Sequence, residues 1–244
     1  MRKFRTDLHI HSCLSPCGDL DMSPRRIVEK CREIGLDIIA LCDHNSAENV
    51  APAVRLGETL GVRVLPGMEI NSREEVHILA IFDLADQALA MQKIVYRALK
   101  GTNRPEFFGE QVRANEFDEV EGFNDRLLIG ALDLGLEEIV QEIHRLGGLC
   151  IASHVDRPSY SLLSQLGFVP PGVELDGVEV SDPQWARTTG KKILEELGLP
   201  LVSSSDAHFL KDIGRRVSVF FMESTTVEEL RLALLEKSDR SVEI

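Results

Sequence analysis

The chain has 244 residues, of which 43% are apolar and 27% charged, as is ordinary for a globular protein. No repeat, low-complexity tract or linker divides it, so we expect a single domain over residues 1–244. Its formal net charge of −13 argues against long nucleic acid or an anionic membrane as a partner, because both favour a basic surface.

Cysteine usage and the N-terminal residues predict a cytoplasmic protein. The five cysteines are odd in number and scattered, which does not suit a disulfide framework. Met1-Arg2-Lys3 leads directly into a strand without the apolar run of a secretory signal, and no apolar stretch is long enough to span a bilayer. We therefore expect a reduced protein without a membrane segment.

The first predicted strand, residues 4–12, carries the most distinctive pattern of the chain. Side chains alternate between faces along a strand, so Asp7, His9 and His11 are expected to point the same way. Two imidazoles on one face, two residues apart, form a ready pair of metal ligands.

Strands and helices alternate through the rest of the chain. Ser23, Ser46 and Asp83 are predicted to cap the helices that follow them. Residues 101–130 are polar with weak periodicity, and we expect a hairpin or lid insertion there. The short connections predict a parallel sheet or barrel. Further strands are predicted at 36–42, 62–65, 76–82, 149–153, 177–180, 200–204 and 217–222, and helices at 23–34, 47–60, 84–99, 136–146, 160–166, 184–197 and 226–236.

Ligand-type side chains stand at the ends of the predicted strands. Six of the seven histidines belong to this set, whereas His144 lies inside a helix and is expected to be solvated. In a (β/α) barrel the strand ends form a rim where residues distant in sequence converge. The predicted metal ligands are His9, His11, His44, Glu69, His77, His154, Asp206 and His208.

This ligand set predicts two or three divalent metal ions. Neutral imidazoles with carboxylates suit zinc, manganese or iron, and so many ligands exceed the needs of one tetrahedral ion. A carboxylate such as Glu69 can bridge two ions. A pair of ions can hold a hydroxide and polarise a phosphoryl oxygen, with the pKa of the bound water lowered to about 7.

Several short motifs contain these ligands and cover most of the chain in a fixed order. They are Asp7-Leu8-His9-Ile10-His11-Ser12, Asp43-His44-Asn45, Gly67-Met68-Glu69, Ser153-His154 and Ser205-Asp206-Ala207-His208. Together they resemble the PHP (polymerase and histidinol phosphatase) domain family. The resemblance implies an α/β fold, a distorted TIM-like (β/α) barrel with seven strands, with a metal site at its carboxyl-end rim and phosphoester hydrolysis as its activity.

Carried over by motif, the resemblance also implies how the ligands divide among three ions. Glu69 would bridge the first ion and the second. The first ion would be held by His9, His11, Glu69 and Asp206, the second by Glu69, His77 and His154, and the third by His44 and His208.

The loop 13–19 departs from the family pattern, which implies a further ligand for the third ion there. Cys17 or Asp19 is the candidate, and a thiolate at Cys17 would favour zinc or iron. The alternative is a Pro/Gly turn with a buried thiol and no ligand. This loop therefore decides between two ions and three.

Catalytic roles are predicted for residues beside the ligands. Arg157 is a candidate to clamp a phosphate bidentately, although it could equally pair with Asp156. Arg215 and Arg216 are weaker candidates for the same role. Asp206 or a neighbouring histidine such as His154 is expected to move the proton to the leaving group.

The expected function is metal-dependent hydrolysis of a phosphoester in a small phosphorylated substrate. A histidinol-phosphate phosphatase or a nucleotide phosphoesterase is the alternative within this chemistry, because the ligands are shared and substrate contacts lie in loops. Hydrolysis of a C–N or C–O bond and a non-catalytic metal-binding module are the alternatives outside it.

Overall fold

Apolar strands and amphipathic helices alternate in the computed structural model, which describes residues 1–244. The strands are β1 (Arg2–Ile10), β2 (Ile38–Leu41), β3 (Arg63–Asn71), β4 (His77–Ile81), β5 (Val112–Ala114), β6 (Val120–Phe123), β7 (Leu149–Ala152), β8 (Gly177–Glu179), β9 (Leu201–Val202), β10 (Ser218–Met222) and β11 (Ser241–Glu243). The helices are α1 (Pro24–Glu33), α2 (Val50–Leu60), α3 (Ala85–Ala98), α4 (Pro105–Phe108), α5 (Leu136–Arg145), α6 (Leu162–Gln165), α7 (Pro183–Arg187), α8 (Lys191–Leu197) and α9 (Val227–Leu234), with a 3₁₀ turn at Leu210–Asp212.

Nine of the strands form one sheet that curves into a nearly closed barrel. Their order is β11-β10-β1-β2-β3-β4-β7-β8-β9. The run from β1 to β9 supplies the seven strands that the family resemblance implies, and β10 and β11 extend it as antiparallel strands outside β1. The α/β barrel expectation is confirmed, with two strands added at one edge.

The barrel closes at its carboxyl end, where the segment after β9 meets β1. Ala207 pairs with Ile10 in a parallel bridge. The amide of His11 donates to the carbonyl of Ala207 at 3.0 Å, and the amide of Ala207 donates to the carbonyl of His9 at 3.3 Å. We call this contact between His9–His11 and Ala207 the seam.

The fourth barrel strand runs antiparallel to its neighbours, so the prediction of a wholly parallel sheet is wrong there. β4 pairs antiparallel with both β3 and β7. Only residues 72–76 separate β3 from β4, which is too short for a parallel crossover but sufficient for a turn. The reversal brings His77, the first residue of β4, to the carboxyl end of the other strands.

The alternation predicted for β1 is also wrong in detail. The pairing of β1 with β2 shifts register between Asp7 and Ile10, and such an irregularity changes which side chains share a face. Asp7 therefore does not join the histidines. Its two carboxylate oxygens accept the amides of Ser205 and Gly214, each at 2.9 Å.

Two apolar layers hold the barrel together. Phe4, Leu65 and Phe220 belong to an inner cluster of 17 buried residues that draws on most strands and on α9. An outer cluster of 40 buried residues joins the other face of the strands to the helices. Because each fully buried aliphatic or aromatic side chain contributes about 1.5–3 kcal/mol, these layers fix the strand ends that carry the polar site.

Only one of the three predicted helix caps is present. Ser23 accepts the amide of Arg26 and begins α1, as predicted. Helix α2 has Asn49 at its N-cap position and no side-chain cap, and the hydroxyl of Ser46 instead bonds the hydroxyl of Tyr96 at 2.7 Å. Asp83 does not cap α3, since its Oδ1 accepts the amide of Val227 on α9 at 3.0 Å.

The helix predicted at 184–197 is two helices, α7 and α8. The break falls at Gly190, the N-cap of α8. A Cβ at this position would lie 2.4 Å from the ring of Trp185, so the close approach of the indole requires glycine. The predicted helix at 160–166 is shorter in the structure, and β11 was not predicted.

Residues 101–130 form a short helix and an antiparallel hairpin. Of the hairpin and the lid expected for this segment, the hairpin is present. The hairpin packs against the loop 13–19, because the amide of Val112 donates to the backbone carbonyl of Cys13 at 2.9 Å. All five cysteines are free thiols, as expected. No helix combines the length and the apolar character that crossing a bilayer would require.

Candidate metal centre

The structure brings all the predicted ligand residues together at the carboxyl end of the barrel. His9 lies near the end of β1 and His11 directly after it, Glu69 lies near the end of β3, and His77 begins β4. The others lie in loops directly after β2, β7 and β9. Six of them, His9, His11, His44, Glu69, His77 and His154, are buried, while Asp206 and His208 are partly exposed.

Glu69 is the centre of the cluster. Burial alone would raise the pKa of its carboxyl, but the neighbouring imidazoles of His77 and His9 outweigh burial and hold that pKa well below its usual range. The Oε1 atom lies 3.0 Å from His77 Nδ1, 3.2 Å from His154 Nε2 and 3.4 Å from His9 Nε2. The Oε2 atom lies 3.1 Å from His44 Nδ1 and 3.6 Å from His11 Nε2.

Asp206 faces the cluster with one oxygen and an arginine with the other. Its Oδ1 lies 3.1 Å from His11 Nε2 and 3.3 Å from His9 Nε2. Its Oδ2 lies 2.6 Å from Arg157 Nη1. Burial opposes ionisation, but the His9 and His11 imidazoles outweigh it and hold the pKa of Asp206 well below its usual range.

The outer hydrogen bonds of the first two histidines leave both Nε2 atoms facing one space. Ser15 Oγ donates to Asp43 Oδ1 (2.7 Å), so it accepts from His11 Nδ1 (2.9 Å). Glu179 Oε2 accepts from His9 Nδ1 at 3.0 Å. When both imidazoles are neutral, as metal ligation requires, the Nε2 atoms 3.0 Å apart both present lone pairs there. A cation between them would remove this repulsion.

Several buried polar atoms of the cluster have no hydrogen-bond partner within the protein. They include Nδ1 of His77 and Oδ1 of Asp206. Both lie close to other ligand atoms without hydrogen-bond geometry, although buried polar groups are normally paired. Three sets of ligand atoms have spacings that could hold an ion: His9, His11 and Asp206; His44, Glu69 and His77; and His11, His44 and His208. The donor set therefore fits divalent cations.

Two of the ligand residues have strained backbones. His154 and Asp206 have φ values of +30° and +50°, in the left-handed region that non-glycine residues rarely adopt. Such conformations persist only where the surrounding structure enforces them, and they are common at functional sites.

Comparison with known protein families supports the resemblance in the motifs. The model of the PHP domain matches residues 7–165, and a model described as PHP-associated matches residues 184–238. The first match alone covers more than half of the chain. The chain belongs to the PHP family. Its clustered histidines and carboxylates are consistent with the binding of metal ions.

Three similar proteins illustrate the range of the matches. The phosphoribosyl 1,2-cyclic phosphate 1,2-diphosphodiesterase of Eggerthella lenta is 31% identical over 80 residues, which is 31% of this chain and 29% of that enzyme. The crystal structure of the lesion-specific endonuclease Q of Pyrococcus furiosus matches with a TM-score of 0.72 and 22% identity, over 98% of this chain and 57% of that chain. A Bifidobacterium adolescentis protein provisionally described as a metal-dependent phosphoesterase matches with a TM-score of 0.62 and 19% identity, over 96% of both chains.

The two candidates in the loop 13–19 are placed differently. Cys17 is exposed, and its thiol lines the cavity together with His44 and His208. Desolvation opposes ionisation, but these imidazoles outweigh it and lower the pKa of the Cys17 thiol to about 6. Asp19 instead accepts the amide of Asp21 at 2.8 Å, closing its own turn. Of the two, only Cys17 lines the cavity over the cluster.

The remaining predicted residues lie at various distances from the centre. Arg157 lines the cavity and pairs with Asp206. The alternative pairing of Arg157 with Asp156 is wrong, because the carboxylate of Asp156 accepts the backbone amides of Ser181 and Asp182 instead. Arg215 pairs with Asp212 at 3.7 Å. His144 lies outside the cluster, as predicted.

His144 is not simply solvated, however. Its Nε2 lies 3.0 Å from Oδ2 of Asp176, whose Oδ1 also accepts from Arg231 at 3.1 Å. This carboxylate–imidazole pair ties α5 to the loop before β8 and to α9. It is chemically similar to the pair formed by His9 and Glu179, but it lies away from the ligand cluster.

Two residues of the site were missed in the sequence. Glu179 is buried, accepts from His9 Nδ1 and from the amide of His154 at 3.1 Å, and so orients two ligands at once. Its signal was a lone charge in the apolar strand 177–180. Tyr160 stacks on His77 and lines the cavity, and nothing in its sequence context marked it.

The cavity over the cluster is small and mostly lined by ligands. Its volume is about 200 Å³. Apart from ligand candidates, its walls come from Ile129, Arg157, Ser159 and Tyr160. One cation, one hydroxyl, one aliphatic and one aromatic side chain are therefore available for substrate recognition.

Proposed function

We propose that the protein is a metal-dependent phosphoesterase that cleaves a small phosphorylated substrate. The observation that carries the proposal is Glu69, a buried carboxylate with ring nitrogens of five histidines within 3.6 Å of its oxygens. A carboxylate so surrounded suits bridging of two cations, and the donor chemistry suits zinc, manganese or iron. We propose two ions, with a third where Cys17 joins His44 and His208.

Divalent ions at these residues would lower the pKa of a coordinated water and polarise a phosphoryl oxygen. The chain itself would orient the ligands. Glu179 fixes the ring of His9, and Ser15 fixes that of His11, so their Nε2 atoms are held ready for the cation. Partners of this kind set both the tautomer and the direction of a ligating histidine.

Arg157 would bind the phosphate of the substrate. Its Nε donates to Ser181 Oγ at 3.1 Å, and its Nη1 meets Asp206 Oδ2 at 2.6 Å. These two contacts fix the plane of the guanidinium and leave Nη2 for a phosphoryl oxygen. Asp206 and His154 line the same cavity, so either residue could pass a proton to the leaving group.

The substrate class is proposed from charge and from the similar proteins. The net charge of −13 disfavours long nucleic acid. Among the similar proteins, one is named a diphosphodiesterase and another an endonuclease, with a duplex DNA substrate in one structure. A nucleotide phosphodiester is therefore the second candidate beside histidinol phosphate and other small monoesters, and both ester classes belong in a substrate panel.

The decisive experiment compares two histidine variants under zinc, manganese and iron. His154→Ala should abolish chelator-sensitive hydrolysis of aryl phosphate monoesters and diesters, whereas His144→Ala should retain it, because only His154 lies in the cluster. The melting temperature of metal-free His154→Ala should stay close to that of the metal-free parent protein.

Several results would contradict the proposal. Wild-type protein with full metal content but without hydrolysis of any phosphoester would indicate a non-catalytic metal-binding module. Hydrolysis of amides or lactones in preference to phosphoesters would indicate C–N or C–O chemistry instead. Arg157→Ala with unchanged metal content, turnover and affinity would exclude the phosphate-binding role of that residue.

A further inference from the structure

The aromatic ring of Tyr160 lies at the mouth of the cavity with only part of its surface covered. The ring stacks on the imidazole of His77, with centroids 4.9 Å apart and planes inclined by 24°. The residue is nevertheless 43% exposed. One face is thus occupied by a ligand candidate, and the rest of the ring is open to solvent beside the reaction centre.

The backbone at Tyr160 is strained to place the ring there. Its φ is +55°, in the left-handed region that glycine or asparagine adopts far more readily than an aromatic residue. The conformation is held by its neighbours, since the carbonyl of Tyr160 accepts the amide of His77 at 3.0 Å and the hydroxyl of Ser161 donates to the carbonyl of Arg157 at 2.8 Å. Enforced strain of this kind is characteristic of functional sites.

The size of the cavity implies that a substrate extends past this ring. Its volume of about 200 Å³ is below the roughly 300–1,000 Å³ of sites that enclose a whole small molecule. A phosphoryl group and a few further atoms fit between Arg157 and the ligand cluster. The rest of the esterified alcohol must leave through the mouth, where Tyr160 offers an open aromatic surface.

We propose that Tyr160 is a stacking platform for a planar ring in the alcohol portion of the substrate. The preferred substrates are then phosphate esters of aromatic or nucleobase-bearing alcohols, with the phosphate at Arg157 and the ring against Tyr160. Stacking on tyrosine tolerates any flat ring, because it needs only a π-face. This inference rests on the proposed phosphoesterase function and names its substrate class.

The test pairs two variants of Tyr160 with two substrates, a nucleoside 5′-monophosphate and glycerol phosphate. In Tyr160→Leu, kcat/KM for the nucleotide should fall by about 5- to 150-fold, as expected for loss of one base–aromatic stack. Most of the loss should appear in KM. Glycerol phosphate has no ring, so its kcat/KM should stay within about twofold. Tyr160→Phe keeps the π-face and should behave as the parent protein does for both substrates.

Phe168→Leu is the matched control, because Phe168 is an aromatic residue that is 57% exposed but lies away from this cavity. Binding of the nucleotide to the metal-loaded protein, measured by calorimetry, gives a readout that does not depend on turnover. Metal content is measured for each variant.

The inference is overturned if Tyr160→Leu loses both substrates equally, since the ring would then only support His77. It is also overturned if neither kcat/KM nor nucleotide affinity changes. These failures differ from that of the phosphoesterase proposal, in which the parent protein hydrolyses neither substrate. In that case the calorimetric comparison of Tyr160→Leu with Tyr160→Phe still decides whether the ring binds a base.

Discussion

Glu179→Gln should weaken metal binding although Glu179 is not itself a predicted ligand. Its Oε2 accepts from His9 Nδ1 at 3.0 Å and from the amide of His154 at 3.1 Å. Glutamine keeps the size of the side chain but removes the charge. The His9 imidazole would lose basicity as a ligand, and the segment that carries His154 would lose a charged acceptor.

The expected loss of metal affinity can be judged from other residues that, like Glu179, hydrogen-bond to a metal-bound histidine without touching the metal. Their removal typically lowers metal affinity by about 10- to 100-fold, which corresponds to about 1.4–2.8 kcal/mol. We expect a value toward the upper end, because one carboxylate oxygen of Glu179 serves two ligand residues. The assay is competition for zinc between the protein and a chromogenic chelator, with the melting temperature of the metal-free protein recorded alongside.

Asp176→Asn provides the matched control. It breaks a carboxylate–imidazole pair with the same 3.0 Å separation, but at His144, outside the cluster. Zinc affinity should be unchanged in Asp176→Asn. An unchanged affinity in Glu179→Gln, or an equal loss in both variants, would refute the reasoning, because the effect would then not depend on the orientation of His9.

Further predictions concern the third ion, the pH dependence and the packing of the hairpin. In cobalt-substituted protein, Cys17→Ser should abolish the near-ultraviolet thiolate-to-cobalt absorption and Asp19→Asn should retain it; the reverse would assign the ligand to Asp19. Burial lowers the pKa of His9, but the surrounding carboxylates outweigh burial and raise that pKa well above its usual value, so a metal ion must displace a proton. Zinc affinity should therefore fall as the pH is lowered from about 8 to about 6, and calorimetry should detect proton release; an affinity independent of pH would contradict this. Gly109→Ala should destabilise the protein by about 1–3 kcal/mol, because φ is +97° and the new Cβ would lie 2.3 Å from a backbone carbonyl. Gly61→Ala, at φ +76° with open space around it, is the control and should cost less in a denaturant titration.

The position of the ligands could be predicted because it depends on topology alone. Residues that follow buried strands must meet at one rim in a barrel, whatever the details of packing. His77 was included although it precedes a strand, and the antiparallel direction of β4 explains why it belongs there. The turn of residues 72–76 was the signal for that reversal, since a parallel crossover needs a dozen or more residues.

Features that depend on individual contacts could not be predicted. Ser46 looked like a helix cap, but the partner that its hydroxyl found, Tyr96, lies 50 residues away. Glu179 acts through His9, 170 residues away. Local sequence contains no trace of such pairings. The irregularity in β1 likewise follows from its register with β2, and it separates Asp7 from the two histidines that share its motif.

The seam gives metal binding a mechanical role in the fold. Two ligand candidates lie on each side of the seam: His9 and His11 on one, Asp206 and His208 on the other. The two sides are far apart in sequence, since His9 and Ser205, which share a hydrogen bond, are 196 positions apart. A cation shared across the seam would link the first strand to the last quarter of the chain and close a very long loop. The entropy of closing such a loop grows only slowly with its length. A few coordinate bonds would therefore reinforce the hydrogen bonds that already close the barrel at the seam.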